Sequence, residues 1–239
     1  MAGTVLRDPR GFRLPVVCCV VLTTAALIGG CARVVTGAGR AGDPEVRPPA
    51  PISVADLLIE PTRFPVQYPA AVLDPREVDR VLGEIDGVSD GSEVTPPECA
   101  PLPVLASQKA AVEGIDGASG ARLIVTLTRP VPSLRARASQ LADCSSFTIT
   151  AGGEDGEVSE VTADLPPPPP VDADDTYAVD QTVTTGSADS RTLTLVALVG
   201  DVRVTTSWQQ DSSDASPDTE ALDTLFADAV LKVRQAVPR

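Results

Sequence analysis

A chain of 239 residues with 33 acidic against 19 basic side chains, a formal charge of −14 and no histidine excludes several functions before any motif is read. Nucleic acid and anionic headgroups are bound by clustered Lys and Arg that neutralise phosphates, and this surface carries the opposite sign. Without imidazole there is no Ser-His-Asp triad, no Cys-His pair and no histidine-ligated zinc. With aromatic residues at 3 % there is also little to stack on a sugar or a base.

Arg7, Arg10 and Arg13 make a basic stretch, residues 14–28 are almost wholly apolar, and Ile28-Gly29-Gly30 puts small residues just ahead of Cys31. This is the layout of an export signal. Its last four residues resemble a bacterial lipobox, in which the cysteine thiol takes a diacylglyceryl group and becomes the first residue of the mature chain. The apolar run is shorter than the roughly 20 residues a spanning helix needs, which favours cleavage over an uncleaved anchor. Two acyl chains hold a protein stably on a bilayer, whereas one chain, at about 0.8 kcal/mol per buried methylene, binds only marginally. The expectation is a signal peptide over residues 1–30, a membrane anchor on lipidated Cys31, and a location on the extracytoplasmic face of the cell membrane. Residues 31–51, rich in Gly, Pro, Ala and Arg without apolar periodicity, read as a flexible tether. Residues 52–239 then form one domain with its own core.

Early in that domain, Phe64 and Tyr68 lie in the loop Pro61-Thr62-Arg63-Phe64-Pro65-Val66-Gln67-Tyr68-Pro69, as lining for a ligand cleft or as cover for one edge of the core. Asp74-Pro75-Arg76-Glu77 supplies an N-cap, a proline at N1 and a glutamate at N3. Val78, Val81, Leu82 and Ile85 follow at helical spacing, so a helix ending near Gly87 is predicted. Residues 104–112 and 134–143 read as weaker helices. Leu123, Val125 and Leu127 alternate with Ile124, Thr126 and Thr128 as a strand, Phe147 and Ile149 mark a short one, and residues 158–165 and 177–185 are further strands.

Two acidic clusters, Glu154-Asp155-Glu157 and Asp172-Asp174-Asp175, offer oxygen ligands for calcium but lack the twelve-residue loop spacing, so both read as solvated loops and no metal or cofactor is expected. Pro166 to Pro170 is a stiff polyproline II spacer between strands. Gly200-Asp201 joins residues 192–199 to 202–208 as a hairpin, because glycine at the first loop position supplies the positive φ of a II′ turn. Ser216 and Pro217 open a last helix whose stripe Leu222, Leu225, Phe226, Ala229, Val230, Val233 and Val237 should cover the sheet. The whole is α+β: an antiparallel β-meander sheet packed by helices that include a long C-terminal one.

Cys18 and Cys19 leave with the signal and Cys31 is acylated, so Cys99 and Cys144 remain as one pair in an oxidising compartment and are expected to form a disulfide. Lys109 and Lys232 are the only lysines, and Lys109 with Ser107 does not fit the S-x-x-K spacing of a Ser-Lys dyad. No catalytic residues are assigned.

The order of parts resembles a family. A lipobox and linker, an early helix, a cysteine in Pro96-Pro97-Glu98-Cys99-Ala100-Pro101, a helix delivering Leu141-Ala142-Asp143-Cys144, a meander and a long terminal helix are similar to actinobacterial, mycobacterial-type lipoproteins of unknown function related to the extracellular sensor domain of PknH-like receptor kinases. The resemblance covers roughly residues 52–237. It implies an α/β sandwich with a cleft, a ligand-sensing role and no established catalysis. The PknH-type sensor has two disulfides and several tryptophans, whereas this chain has Cys99, Cys144 and Trp208 alone. The functional expectation is a non-catalytic, membrane-anchored envelope domain that binds a small molecule or an envelope protein, with Phe64, Tyr68 and Trp208 as candidate cleft residues. A carrier of hydrophobic envelope lipids is the alternative.

Overall fold

Nine antiparallel strands form one sheet in the order β1-β3-β4-β9-β8-β7-β6-β5-β2. The computed structural model describes residues 52–88, 91–102, 106–129, 131–152 and 156–237. The strands are β1 (Ala70–Val72), β2 (Glu93–Thr95), β3 (Gln108–Ile115), β4 (Arg122–Arg129), β5 (Ser146–Thr150), β6 (Val158–Asp164), β7 (Asp175–Thr185), β8 (Ala188–Val199) and β9 (Val202–Gln210). From β5 to β9 each strand pairs with the next, so the predicted meander is present as a five-stranded run. The β3–β4 hairpin is added to it through a non-local pairing of β4 with β9.

Turn chemistry fixes the register at two places. Gly200 has φ +62° between Val199 and Val202, and Gly186 has φ +62° between Thr185 and Ala188. Both are two-residue loops that need positive φ at the first position. The second was not predicted, and it extends β8 four residues before the expected start. The proline run lies between β6 and β7 without regular structure, consistent with a spacer.

Four helices pack on the two sheet faces: α1 (Val54–Leu57), α2 (Pro75–Ile85), α3 (Leu134–Asp143) and α4 (Thr219–Ala236). On one face α1 and α4 cover Val112, Leu123, Val125, Leu127, Leu195, Val204 and Trp208. The other face is shared. Val81 and Ile85 of α2 pack on Ile124, while Leu134 and Leu141 of α3 pack on Tyr177, Val179 and Val196. Both faces of β4 are therefore buried, which is why its apolar residues at odd positions alternate with buried Ile124 and Thr126 rather than with exposed polar groups.

The predicted capping box is complete: Asp74 accepts from the amides of Arg76 and Glu77, and Glu77 accepts from the Asp74 amide. α3 has the bounds expected of it. Residues 108–112, expected in a helix, belong to β3 instead. Ala110 and Ala111 are good helix formers, but pairing with β4, and the Leu73 amide donating to the Ala111 carbonyl, override that preference. α4 starts two residues later than predicted, because the Asp218 side chain and not Ser216 accepts from the helix, at the Ala221 amide. Among the described residues no helix is long and apolar enough to cross a membrane.

Candidate functional site

α2 and α3 share one sheet face, and the recesses of that face meet at the last turn of α2. On one side of this turn is a small recess with about 10 Å³ of free space, room for a single water-sized body. Its walls are Asp86 after α2, Pro101 and Leu102, the first turn of α3 at Ser133 and Leu134, and the side chains of Arg137, Tyr177 and Arg203. On the other side is an open recess of about 320 Å³ bounded by Gly83, Glu84 and Gly87 of the α2 end and by Arg122, Arg191, Thr192 and Gln209 of the sheet.

The sequence builds the smaller recess through its disulfide. Cys99 and Cys144 are bonded, with Cα atoms 5.6 Å apart, so the segment that leads into Pro101 is tied to the C-terminal end of α3. Gln140 adds to the tie by donating to the carbonyls of Glu98 (2.6 Å) and Ala100 (2.7 Å). Its Oε1 accepts from Arg137 Nη1 at 2.6 Å, and that bond orients the guanidinium. Arg203 reaches the same cavity from β9, with Nε donating to Thr205 Oγ1 at 3.2 Å.

Arg137 is only 8 % exposed, and burial holds its guanidinium below the usual arginine value, with Arg203 acting in the same direction and Asp86 and Tyr177 opposing. Burial pushes the Tyr177 hydroxyl up. In the open recess, the polar groups are mostly engaged. Arg122 donates to Glu84, Glu113 and Gln209, and Arg191 to Asp180 and the Ala215 carbonyl. Beside the recess, Gln181 is buried and its Nε2 has no hydrogen-bond partner among the described residues.

The residues proposed from sequence for a cleft do come together, but inside the core. Phe64, Tyr68 and Trp208 are 7, 4 and 1 % exposed and share the core cluster under α4, so in this conformation they line no open cleft. The loop that holds the first two does border a surface groove. Arg63, Pro65 and Gln67 face the start of α4 at Asp218, Ala221 and Thr224 across about 300 Å³. The aromatic rings at Phe64 and Tyr68 turn inward, while Val66 between them is exposed. Cys31, Glu154 and Asp155 lie outside the described residues, and Asp172 and Asp174 meet Arg234. Among the described residues no group of three or more His, Cys, Asp and Glu side chains is placed to hold a metal ion.

Neither lysine is available as a base. Lys109 pairs with Asp79, and Lys232 donates to the Leu58 carbonyl and to Glu60, each at 2.6 Å. The residues that sequence reasoning missed are Arg137, Tyr177, Gln181 and Arg203, which come from α3, β7 and β9. No sequence signal marks them, because which arginines lack a carboxylate and which amide lacks a partner follow only from the fold.

A family model described as "Domain of unknown function (DUF5642)" matches residues 54–234. Two solved structures are similar in outline. An uncharacterized protein from Mycobacterium smegmatis, an Rv0999 ortholog, is 18 % identical over 72 % of this chain and 92 % of its own, with a TM-score of 0.44. The extracellular domain of PknH from Mycobacterium tuberculosis is 14 % identical over 74 % of this chain and 98 % of its own, with a TM-score of 0.42. No curated protein matches the chain.

Proposed function

We propose, for a chain that belongs to the DUF5642 family through residues 54–234, a non-catalytic, sensor-like domain that binds a polar ligand and is held on the extracytoplasmic face of the cell membrane by a lipidated Cys31. Residues 52–239 would be the binding domain and residues 31–51 its tether. The observation that carries the binding role is the open recess at the end of α2, beside which the buried Gln181 amide has no hydrogen-bond partner among the described residues. Buried polar groups in folded proteins are nearly always satisfied, so an orphaned Gln181 amide beside an open recess is a group that a ligand or water would satisfy. The polar lining suits such a ligand better than an acyl chain, which favours binding of a polar molecule over carriage of envelope lipids. The engaged lysines and the missing histidine support a role without catalysis.

Two measurements test this reading. Cys31→Ala should move the protein from the membrane to soluble or unprocessed fractions, and an unacylated mature chain by intact mass rejects the anchor. For the cleft, a panel of neutral polar compounds is screened by thermal unfolding; a ligand at 100 times its Kd stabilises by about 2.7 kcal/mol. Gly83→Phe, which projects a ring from α2 into the recess, should remove the effect of any hit. Hits that stabilise this variant as well as the parent place the ligand elsewhere and reject the cleft.

A further inference from the structure

We propose that Arg137 and Arg203 form an anion subsite in the small recess at the start of α3, which takes a monovalent anion one atom wide at its tip: the carboxylate end of a small ligand, or a halide ion. This recess shares no lining residue with the open one, and the inference rests on reading this sheet face as a ligand-binding surface, to which it adds an anion.

Among the described residues, every Lys and Arg is in an ion pair except Arg76, Arg137 and Arg203. Arg76 is exposed on α2 and is solvated by water. The other two are buried and half-buried, and they line the same cavity. In a chain with 33 carboxylates, leaving two such cations without one is unusual, because a buried charge lacking a counter-charge is costly. No carboxylate of the described residues comes within 4.0 Å of either guanidinium. Asp86 also borders the cavity, so its walls carry two positive charges against one negative.

The donors are set before any ligand arrives. Each guanidinium has five N–H groups, and the protein uses one of Arg137 for Gln140 and one of Arg203 for Thr205. The Tyr177 hydroxyl lines the same space and makes no hydrogen bond to a described residue, and the first turn of α3 adds the positive end of a ten-residue helix. About 10 Å³ admits one oxygen or one halide, not a whole phosphate. A planar carboxylate meets an arginine fork with one edge and leaves the rest of its molecule at the mouth.

The test is side-chain NMR of the ¹⁵N-labelled full chain, titrated separately with sodium acetate and sodium chloride. The Nε–H resonances of Arg137 and Arg203 and the amides of Ser133 and Leu134 should move saturably, while Arg76 drifts linearly as an exposed control. The salt with the lower half-saturation concentration identifies the occupant. Arg203→Gln should raise that concentration at least tenfold, and Arg137→Gln serves as the second variant if the first is unfolded. Movement of both arginines no larger than that of Arg76 under either salt overturns the inference. If a neutral compound then still shifts the Gln181 side-chain amide and Gly87, the cleft remains a ligand site and the anion subsite alone is lost. If neither responds, both are lost.

Discussion

Gly114 lies on β3 directly beneath the loop that folds Phe64 and Tyr68 into the core. A Cβ added there would come within 2.8 Å of both Phe64 Cδ1 and the Tyr68 carbonyl oxygen, and the second contact is with backbone that cannot rotate away. Gly114→Ala should therefore lower stability by about 1–3 kcal/mol, as overpacking does, read from the midpoint of chemical unfolding. An unchanged midpoint would mean that the loop lifts off the sheet easily. The side of the core on which Phe64 and Tyr68 fall was not legible in the sequence, since a Pro-bounded loop has no period to assign an inner face. Their burial depends on glycine at a position that becomes their neighbour only when β1 pairs with β3. The same holds for Arg137 and Arg203. One reads as a polar residue of a weak helix and the other as the solvent-facing residue of a hairpin strand, until α3 is laid across the sheet.

At the scale of elements, local signals carried furthest where the chain supplies its own hydrogen-bond partners. The capping box at Asp74, the positive-φ glycine of the β8–β9 turn and the apolar stripe of α4 each reads directly from sequence, because each needs only neighbours within a few positions. Asp74→Ala should cost about 1 kcal/mol, the usual loss for such a cap, visible as a lower thermal midpoint with no change in the overall spectrum. The N-terminal part of β3 failed to read as a strand because its alanines have no strand signature and are held there by β4. α1 and the short edge strands β1 and β2 are of three or four residues, below the length at which periodicity exists. The disulfide links elements rather than residues, joining the segment before Pro101 to the end of α3 across 45 positions. Replacing Cys99 and Cys144 by Ser should lower stability by about 4 kcal/mol in the chain-entropy model. It should also loosen the Arg137–Gln140 wall, so that the Arg137 Nε–H resonance broadens. A double variant of unchanged stability would show that the loop is closed by packing alone.

For the molecule as a whole, the missing histidines and the ion pairs set how stability responds to pH. No side chain with an ordinary value between pH 5 and 7 exists in this chain, so stability should be flat across that window. Below it, three carboxyls govern the slope. Glu60 is held low first by its hydrogen bond with Lys232, Asp116 by the Ser119 hydroxyl and Asp189 by the Ser213 and Thr184 hydroxyls. A carboxyl whose value is depressed by folding adds stability that is present above its unfolded value and lost as pH falls through the folded one. Their ordinary values are 4.5 for Glu60 and 3.8 for the two aspartates, so the loss should begin near those values and continue below them. Asp223 runs the other way, because burial raises its carboxyl above 3.8, so its penalty is relieved as pH falls. All three lie at the surface, Glu60 exposed and Asp116 and Asp189 partly so, and salt should flatten the acid limb while leaving the plateau in place. The measurement is denaturant midpoint against pH from 2 to 8 at two ionic strengths. A step between pH 5 and 7 would require a group with a strongly displaced value that no described carboxyl supplies, and would reject this assignment of the charges that hold the fold.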